Sequence, residues 1–483
     1  MAFWKYYSTN RPLTDTMQQK NITVVGAGPV GSLLSIYLAG KGHAVKLYER
    51  RGDMRKEQLA AGRSINLALS DRGLLALEKI GLAEEIKKIS IPMHGRFIHH
   101  VDGSTAFQPY GKEGQYINSV SRAELNKKLM DIAERQGVEI FFNHKCTGID
   151  WKNLRVEFEH AAAGGQPAST GTSQTASTLA DRTIGTKTDL IFGADGAYSA
   201  ARMQHQTHSD RFDYSQHYID CGYKELTIPP GEAGRFLLEK NALHIWPRKD
   251  YMLIALPNTD GSFTCTLFFP FEGEQSFSML DTAEKVIAFF EKTFPDAVPI
   301  MPDYVTQFFN NPTSSLVTVK CYPWIRGDQF ALIGDAAHAI VPFFGQGMNC
   351  GFEDCRILDE LIDQFGDDWA TTLKQYQGLR KQDADAIADM AVNNFVEMRD
   401  RTADPIFLLQ KKIEGRLHEK YPDKWIPAYS QVTFSPYIRY SEALQKGQHQ
   451  ESIMREIMQI PDIAGHWNDD ALHQQIIGRL GGA

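Results

Sequence analysis

The chain reads as an α/β protein: a Rossmann-like nucleotide-binding domain, interrupted by a second domain built on an antiparallel sheet and followed by a helical C-terminal region. Three observations predict this. Residues 20–49 run as an apolar strand (22–25), a turn Gly26-x-Gly28-x-x-Gly31, an Ala/Leu-rich stretch, a second apolar run (44–48) and Glu49. Residues 222–271 break into short β-rich runs separated by turn signals. From 369 to 398, and again toward the C-terminus, apolar residues recur at helical spacing.

The first unit has the order needed to hold an ADP moiety. Its glycines permit a tight turn and close approach to a pyrophosphate, the following helix offers its N-terminus, and an acid accepts ribose hydroxyls. Glu49 stands 18 residues after Gly31, close to the roughly 20 that this arrangement requires. A bare glycine turn is weak; one set between two strands and an acid is specific. Residues 155–158 alternate as a strand does, and 188–194 is a second strand candidate ending at Asp195-Gly196. Between them, residues 161–180 are Ala, Gly, Ser, Thr and Gln, which bury too little apolar area to order themselves and predict a mobile hairpin loop.

The runs 222–228, 242–246, 251–256 and 263–269 are split by Arg248-Lys249-Asp250 and Asn258-Thr259-Asp260-Gly261, as in an antiparallel meander. Strand signal returns at 329–333, so the nucleotide fold is interrupted and completed later. A length of 483 residues, 42% hydrophobic and 23% charged, fits a soluble globular enzyme of two or three domains. The net charge of -8 argues against a nucleic-acid partner. Six widely separated cysteines, without paired metal-ligand spacing, suggest neither a disulfide framework nor a metal, and point to a reducing cytoplasm. The first 20 residues lack an apolar core segment, and no run reaches the roughly 18 apolar residues of a membrane span.

Two further motifs narrow the nucleotide. Residues 189–202 end a strand in Asp195-Gly196, with Ser199 and Arg202 beyond; residues 330–338 end another in Gly334-Asp335, followed by His338. With the first glycine turn, these resemble the three fingerprints of the single-component flavoprotein aromatic hydroxylases. That resemblance implies bound FAD, with Asp335 at its ribityl chain or ribose and Asp195 supporting both the flavin and a nicotinamide cofactor. Each motif alone could be a turn. After Asp335, Phe343-Phe344-Gly345-Gln346-Gly347-Met348-Asn349 precedes a helical pattern with Phe352, Ile357, Leu358 and Leu361 as apolar positions. Glycines there let backbone approach a flat ring system, and the helix beginning near Met348 aims positive dipole charge at it. The alternative is a proline-broken connection into a buried helix.

Within that superfamily the stretches 62–70, Gln108-Pro109-Tyr110-Gly111, 222–226, 242–247, 343–349 and 429–435 resemble the kynurenine 3-monooxygenases, with similarity from about 20 to 445. The resemblance implies an enzyme of tryptophan degradation and pyridine nucleotide biosynthesis. It would reduce FAD with transiently bound NADPH, form a flavin C4a-hydroperoxide with O2, and hydroxylate L-kynurenine ortho to its amine, without a metal. It places the substrate carboxylate on Arg96, Tyr110, Asn394 and Tyr429. Two of these have support in the residues themselves. Alternation puts Arg96 on the face of Ile98, an unusual place for a solvated charge, the alternative being an arginine at a strand mouth reaching water. Asn394 falls in the helical stripe of Ile387, Met390, Ala391 and Met398, where it could instead satisfy a neighbouring carbonyl. Tyr110 and Tyr429 carry little signal alone.

The resemblance lines the ring slot with Leu243, Met252, Phe268, Phe343, Phe344 and Met398, although apolar residues in such strands are more often plain core. Some bacterial relatives carry His at the position of Phe344, so no general base is assigned there and no residue is assigned as catalytic; His338 reads as structural. At FAD the family pattern adds Val30, Arg50, Ala68 and Arg122, with Gln346, Gly347, Met348 and Asn349 at the isoalloxazine. Ser121 can cap the helix that Arg122 opens, and an exposed helix-start arginine is the plain alternative. Arg50 beside Glu49 could suggest a 2′-phosphate site, but Glu49 would repel that phosphate, which favours FAD.

The expected division is FAD-binding 1–90, 116–213 and 326–385, substrate domain 91–115 and 214–325, and helical region 386–483, which covers the active site. Animal relatives end in a membrane anchor, whereas this chain finishes as Ile476-Ile477-Gly478-Arg479-Leu480-Gly481-Gly482-Ala483, so a soluble protein is expected. The rival readings are an FAD-dependent hydroxylase of another aromatic acid and a non-enzymatic binding protein on an FAD fold.

Overall fold

The computed structural model describes residues 17–56, 66–112, 114–160, 183–400 and 404–481, apart from the side chains of 396 and 398–400. The expected loop at 161–180, motif residues 62–65 and the Met398 side chain lie outside the described residues.

Four parallel pairings build the first sheet. Asn21–Val25 pairs with Ala44–Tyr48 and Leu190–Gly193, Ala44–Tyr48 with Glu139–Phe141, and Leu190–Gly193 with Phe330–Leu332. A short antiparallel edge strand, Ile325–Arg326, completes the six. Its central strands are nearly continuous apolar runs because both faces are covered: the helices Pro29–Gly40, Arg122–Arg135 and Gly347–Phe365 pack together in its core, and a three-stranded antiparallel sheet, His144–Asp150, Arg155–His160 and Thr183–Lys187, adds Ile149, Val156 and Phe158, with Phe158 stacked on Tyr48. The second sheet has seven strands in the order Ser314–Tyr322, Asp213–Ile228, Phe263–Pro270, Tyr251–Pro257, Ala242–Arg248, Gly95–His99, Thr105–Pro109.

Side-chain alternation gives this second sheet two destinations. Trp246, Leu253, Leu267 and Phe269 join the helices Ala283–Thr293 and Tyr304–Asn310 in one core. Met252, Phe268 and Ile254 face the other way, into a core shared with Phe343, Phe344 and the C-terminal helices. The region between the two sheets is therefore apolar.

Two strand expectations change. The partner of Arg155–His160 across the 161–180 segment is Thr183–Lys187, not 188–194, which instead enters the parallel sheet as Leu190–Gly193. Thr183–Lys187 has no buried residue and weak apolar content, so it left no sequence signal. The run expected at 222–228 extends back to Asp213; its first half is mostly solvent-facing, bulges between Tyr218 and Gly222, and pairs with Ser314–Tyr322. The C-terminal region is helical, beginning with Trp369–Asp400, which runs through the boundary expected at 385, and continuing with Pro405–Lys420, Ala428–Phe434, Tyr440–Ile457 and Asp470–Leu480. No helix among the described residues is long and apolar enough to cross a membrane.

Candidate active site

The three fingerprint turns meet at the carboxyl edge of the parallel sheet. Gly26 has φ +104°, and a Cβ on it would stand 2.6 Å from the Ala194 carbonyl oxygen; one on Gly31 would stand 2.0 Å from the Gly26 carbonyl oxygen. Those two glycines are demanded by packing. Gly28 has nothing within 4 Å of its Cβ position, so the turn is open there. Val30 packs against Gly334 and Gly351, each of which would bring a Cβ within 3.0 Å of it. It thereby locks the first turn to the Gly334-Asp335 turn. Asp335 is half-buried and has no hydrogen-bond or ion partner among the described residues.

Glu49 accepts from the Ala27 and Arg51 backbone N–H groups, both at 3.0 Å. A carboxylate offers about four lone-pair sites, so acceptor capacity remains for hydroxyls. The Asp195 carboxylate is instead turned to its own chain: it accepts from the Ser199 hydroxyl and from the Ala200 and Ala201 N–H groups at 2.7 and 3.1 Å. Burial pushes its pKa up, against the lowering by those donors. Arg50 and Arg122 are exposed. Arg122 opens its helix, whose Ser121 cap accepts from Glu124 N–H at 3.4 Å as expected.

The Phe343–Asn349 segment is fastened from behind. Gly345 takes φ +66°, and its Cβ position is 3.3 Å from Ala68. Fully buried Asn349 donates to the Ala68 and Gly345 carbonyls, both at 2.8 Å, and accepts from Ser70 N–H at 3.0 Å. Its amide is therefore spent on the fold, and its neighbours Met348 and Gly347 present backbone. The helix Gly347–Phe365 then begins at this turn, close to where its apolar positions predict.

Beneath that helix lies a buried ion layer that sequence reasoning missed. Asp354 accepts from His338 Nε2 at 2.6 Å, Arg380 Nε at 2.6 Å and Gly334 N–H at 3.1 Å. Glu353 binds Arg72 at 2.6 Å and Arg380 at 2.7 Å. Burial opposes the charge of Asp354, but His338 and Arg380 overcome it and bring its pKa to about 2. Burial likewise opposes the charge of His338, and Asp354 overcomes it, holding the imidazole well above its ordinary value. The layer fixes the Gly334-Asp335 turn, so His338 is structural.

Across from this turn, Arg96 lies between two tyrosine rings, 4.9 Å from the Tyr429 centroid and 5.4 Å from that of Tyr110. Its Nε is buried without a partner, and no carboxylate among the described residues pairs with it. Strand register puts Arg96 opposite Leu243 and Gln108, and Met252 opposite Phe268. A cavity of about 120 Å³ is lined by Arg96, Ile98, Gln108, Met252, Phe268 and Phe395, among others. Phe268 packs on Phe343 at 5.2 Å, Phe343 on Phe395 at 4.4 Å, and Phe344 on Tyr429 at 5.5 Å. The expected substrate residues Arg96, Tyr110, Tyr429, Leu243, Met252, Phe268, Phe343 and Phe344 are thus neighbours, joined to Gly345 through Phe344. Asn394 donates to the Phe343 carbonyl at 2.7 Å, the satisfied-carbonyl alternative, and so sets the backbone of the slot. Gln108 and Phe395 were not anticipated, although Gln108 lies opposite Arg96 on one face, a placement that alternation could have indicated.

A glycine cradle with one open position, an unpartnered half-buried acid and a backbone-lined turn fit FAD. Residues 19–391 match the family described as FAD binding domain. The fold is shared with a solved 2-methyl-3-hydroxypyridine-5-carboxylic acid oxygenase, at TM-score 0.63 and 20% identity over 80% of this chain and 95% of that one. It is shared also with PqsL of Pseudomonas aeruginosa, at TM-score 0.61 and 17% identity over 80% and 98%. Fold and site together define an FAD-dependent monooxygenase. The sequence is 49% identical to the kynurenine 3-monooxygenase of Flavobacterium johnsoniae over 95% of this chain and 98% of that one. It is 50% identical to that of Myxococcus xanthus over 91% of each, and 43% identical to that of Sus scrofa over 91% and 88%. The chain belongs to the kynurenine 3-monooxygenase family.

Proposed function

We propose that this protein hydroxylates L-kynurenine to 3-hydroxykynurenine, using bound FAD, NADPH and O2. The observation that carries the reading is Arg96 at the end of an aromatic slot that abuts the cofactor turn: it lies between two tyrosine rings, its Nε is buried without a partner, and no carboxylate among the described residues pairs with it. Kynurenine joins an aminophenyl ketone to an amino-acid tail; its carboxylate suits that cation, and its ring suits the slot.

In this reading the Gly26, Gly28 and Gly31 backbone and the N-terminus of Pro29–Gly40 hold the pyrophosphate, while Glu49 and Asp335 accept hydroxyls. Ala68 and residues 346–349 border the isoalloxazine, Val30 and Asp195 set the turns around it, and Arg50 and Arg122 lie at its exposed edge. When bound and reduced by NADPH, FAD supplies the activation of O2 and the oxygen atom delivered to the ring. The protein residues bind and orient. Arg96, Tyr110 and Tyr429 anchor the carboxylate, and burial, which pushes the Tyr110 pKa up, keeps its hydroxyl a donor. Leu243, Met252, Phe268, Phe343 and Phe344 exclude water, with Met398 following on the helix that carries Asn394. Electron donation from the substrate's amine activates the ring position next to it, so no protein base is required.

Sheet membership supports the proposed division into a split FAD-binding domain, a substrate domain and a helical region, since 95–99, 105–109 and 213–322 share the seven-stranded sheet. The cytoplasm is the compartment this reading favours. Incubation of the purified yellow protein with kynurenine and NADPH tests the whole: 3-hydroxykynurenine is the expected product. NADPH oxidation that only another aromatic acid accelerates would overturn the substrate, and a colourless protein inert to NADPH would overturn the enzyme.

A further inference from the structure

The helix Tyr440–Ile457 begins with a fully buried tyrosine whose hydroxyl donates to Gln346 Oε1 at 2.9 Å. Gln346 immediately precedes the helix Gly347–Phe365 and is only 2% exposed. Its carboxamide nitrogen has no partner among the described residues. A buried carboxamide with its oxygen satisfied and its N–H groups unspent is a donor awaiting a ligand. The ring of Tyr440 is held in turn: the Arg72 guanidinium lies 4.0 Å from its centroid, ion-paired to Glu353 and donating to the Ile438 carbonyl at 2.7 Å. The same stretch of chain carries Tyr429, beside Arg96.

We propose that Tyr440 is a positioning residue for the cofactor: its hydroxyl fixes the Gln346 carboxamide with the N–H₂ end toward the FAD site. This rests on FAD occupying that site as read above. The two ends of a carboxamide have nearly the same shape, so sterics alone cannot choose between them. The Tyr440 hydroxyl favours one of them: it donates to the oxygen end, and an amide oxygen is a better acceptor than the phenol oxygen that a turned N–H₂ group would have to use. Donors facing the flavin stabilise the negative charge it acquires on reduction, whereas an oxygen turned toward it repels that charge. The C-terminal region thus contributes to the cofactor side of the site as well as to the substrate side.

The test uses the holoenzyme with Tyr440→Phe. The expected result is a native circular dichroism spectrum, an unchanged KM for kynurenine, a lower kcat and a flavin midpoint potential shifted to more negative values. Flavin fluorescence titration of the apoprotein should show FAD affinity weakened about 2- to 12-fold, the factor to which the roughly 0.5–1.5 kcal/mol of one hydrogen bond converts. Gln346→Glu, which keeps an acceptor but loses both donors, should lower the potential too, and adding Tyr440→Phe to it should lower it no further. A Tyr440→Phe holoenzyme with wild-type potential and FAD affinity overturns the inference. So does a variant that cannot be recovered folded, since a hydroxyl that only orients an amide is dispensable for folding. A wild-type protein that binds no FAD would instead sink the proposed function, so the two failures are distinct.

Discussion

A half-buried guanidinium held between two tyrosine rings without a carboxylate gains from the arrival of an anion. In the proposed reading, Arg96 keeps that gain for the substrate carboxylate. Arg96→Ala should raise the KM for kynurenine by the worth of a charged hydrogen bond, roughly 1.5–3 kcal/mol, and leave flavin content unchanged; an unaltered KM would remove Arg96 from the clamp. Asp335→Ala should lower FAD occupancy, read from the absorbance ratio of flavin to protein, because no partner among the described residues uses that carboxylate. The glycines separate in the same way. Gly28→Ala should fold normally and bind FAD weakly, whereas Gly31→Ala should lose stability outright, its Cβ colliding with a backbone oxygen 2.0 Å away. Thermal melts of the two apoproteins check this. At this scale the place of Glu49 beside the first glycine turn and the shared face of Arg96 and Ile98 were legible because turn spacing and strand alternation are local properties; Asp335 was reached through the family motif. Asn349 was legible as a motif letter only: its three bonds go to Ala68, Ser70 and Gly345, the first two 281 and 279 positions away.

The helix Gly347–Phe365 shows how an element can be foreseen at its start and hidden along its inner face. Its glycine turn and apolar positions forecast the beginning. Nothing in the string announced that Glu353 and Asp354 would be buried, since acids on a helix are ordinarily solvated. Their burial has a pH signature. His338 has a folded pKa above its unfolded one, so its contribution to stability is complete below about 6.5 and is lost as pH rises through the folded value. Asp354 works oppositely: its contribution is complete above about 3.9 and is lost as pH falls toward about 2. Calorimetric melts of wild type should therefore show Tm declining on the alkaline side, and His338→Gln should flatten that decline. A slope that persists in the variant would assign it to other groups. Thr183–Lys187 makes the contrasting case, a strand defined by its partner and not by its own composition.

Across the whole molecule, Arg72 is one of the side chains that tie the C-terminal helices to the nucleotide fold, beside Arg380 and Tyr440. From the helix Asp71–Glu78 it reaches Glu353, the carbonyl of Ile438 and the ring of Tyr440. Arg72→Ala should cost about 1.5–3 kcal/mol, the worth of hydrogen bonds to a charged group, because Glu353 keeps Arg380 as a partner; urea unfolding measures it, and the loss should loosen Tyr429 along with Tyr440. A loss below about 1 kcal/mol, the worth of a surface pair, would show that the layer is solvated. The split nucleotide domain, the antiparallel insertion, the helical end and the character of the cofactor could all be read along the chain. Each is written in glycine spacing, in periods of two or 3.6, or in short motifs, features that neighbouring residues specify through backbone geometry. The carboxylate-free setting of Arg96, the ion layer under the cofactor turn and the hydroxyl that orients Gln346 could not. Their partners lie up to hundreds of positions apart, as Arg72 and Glu353 do at 281. Charges and hydrogen-bonding groups have no periodicity that names a partner, so folding alone brings each pair together.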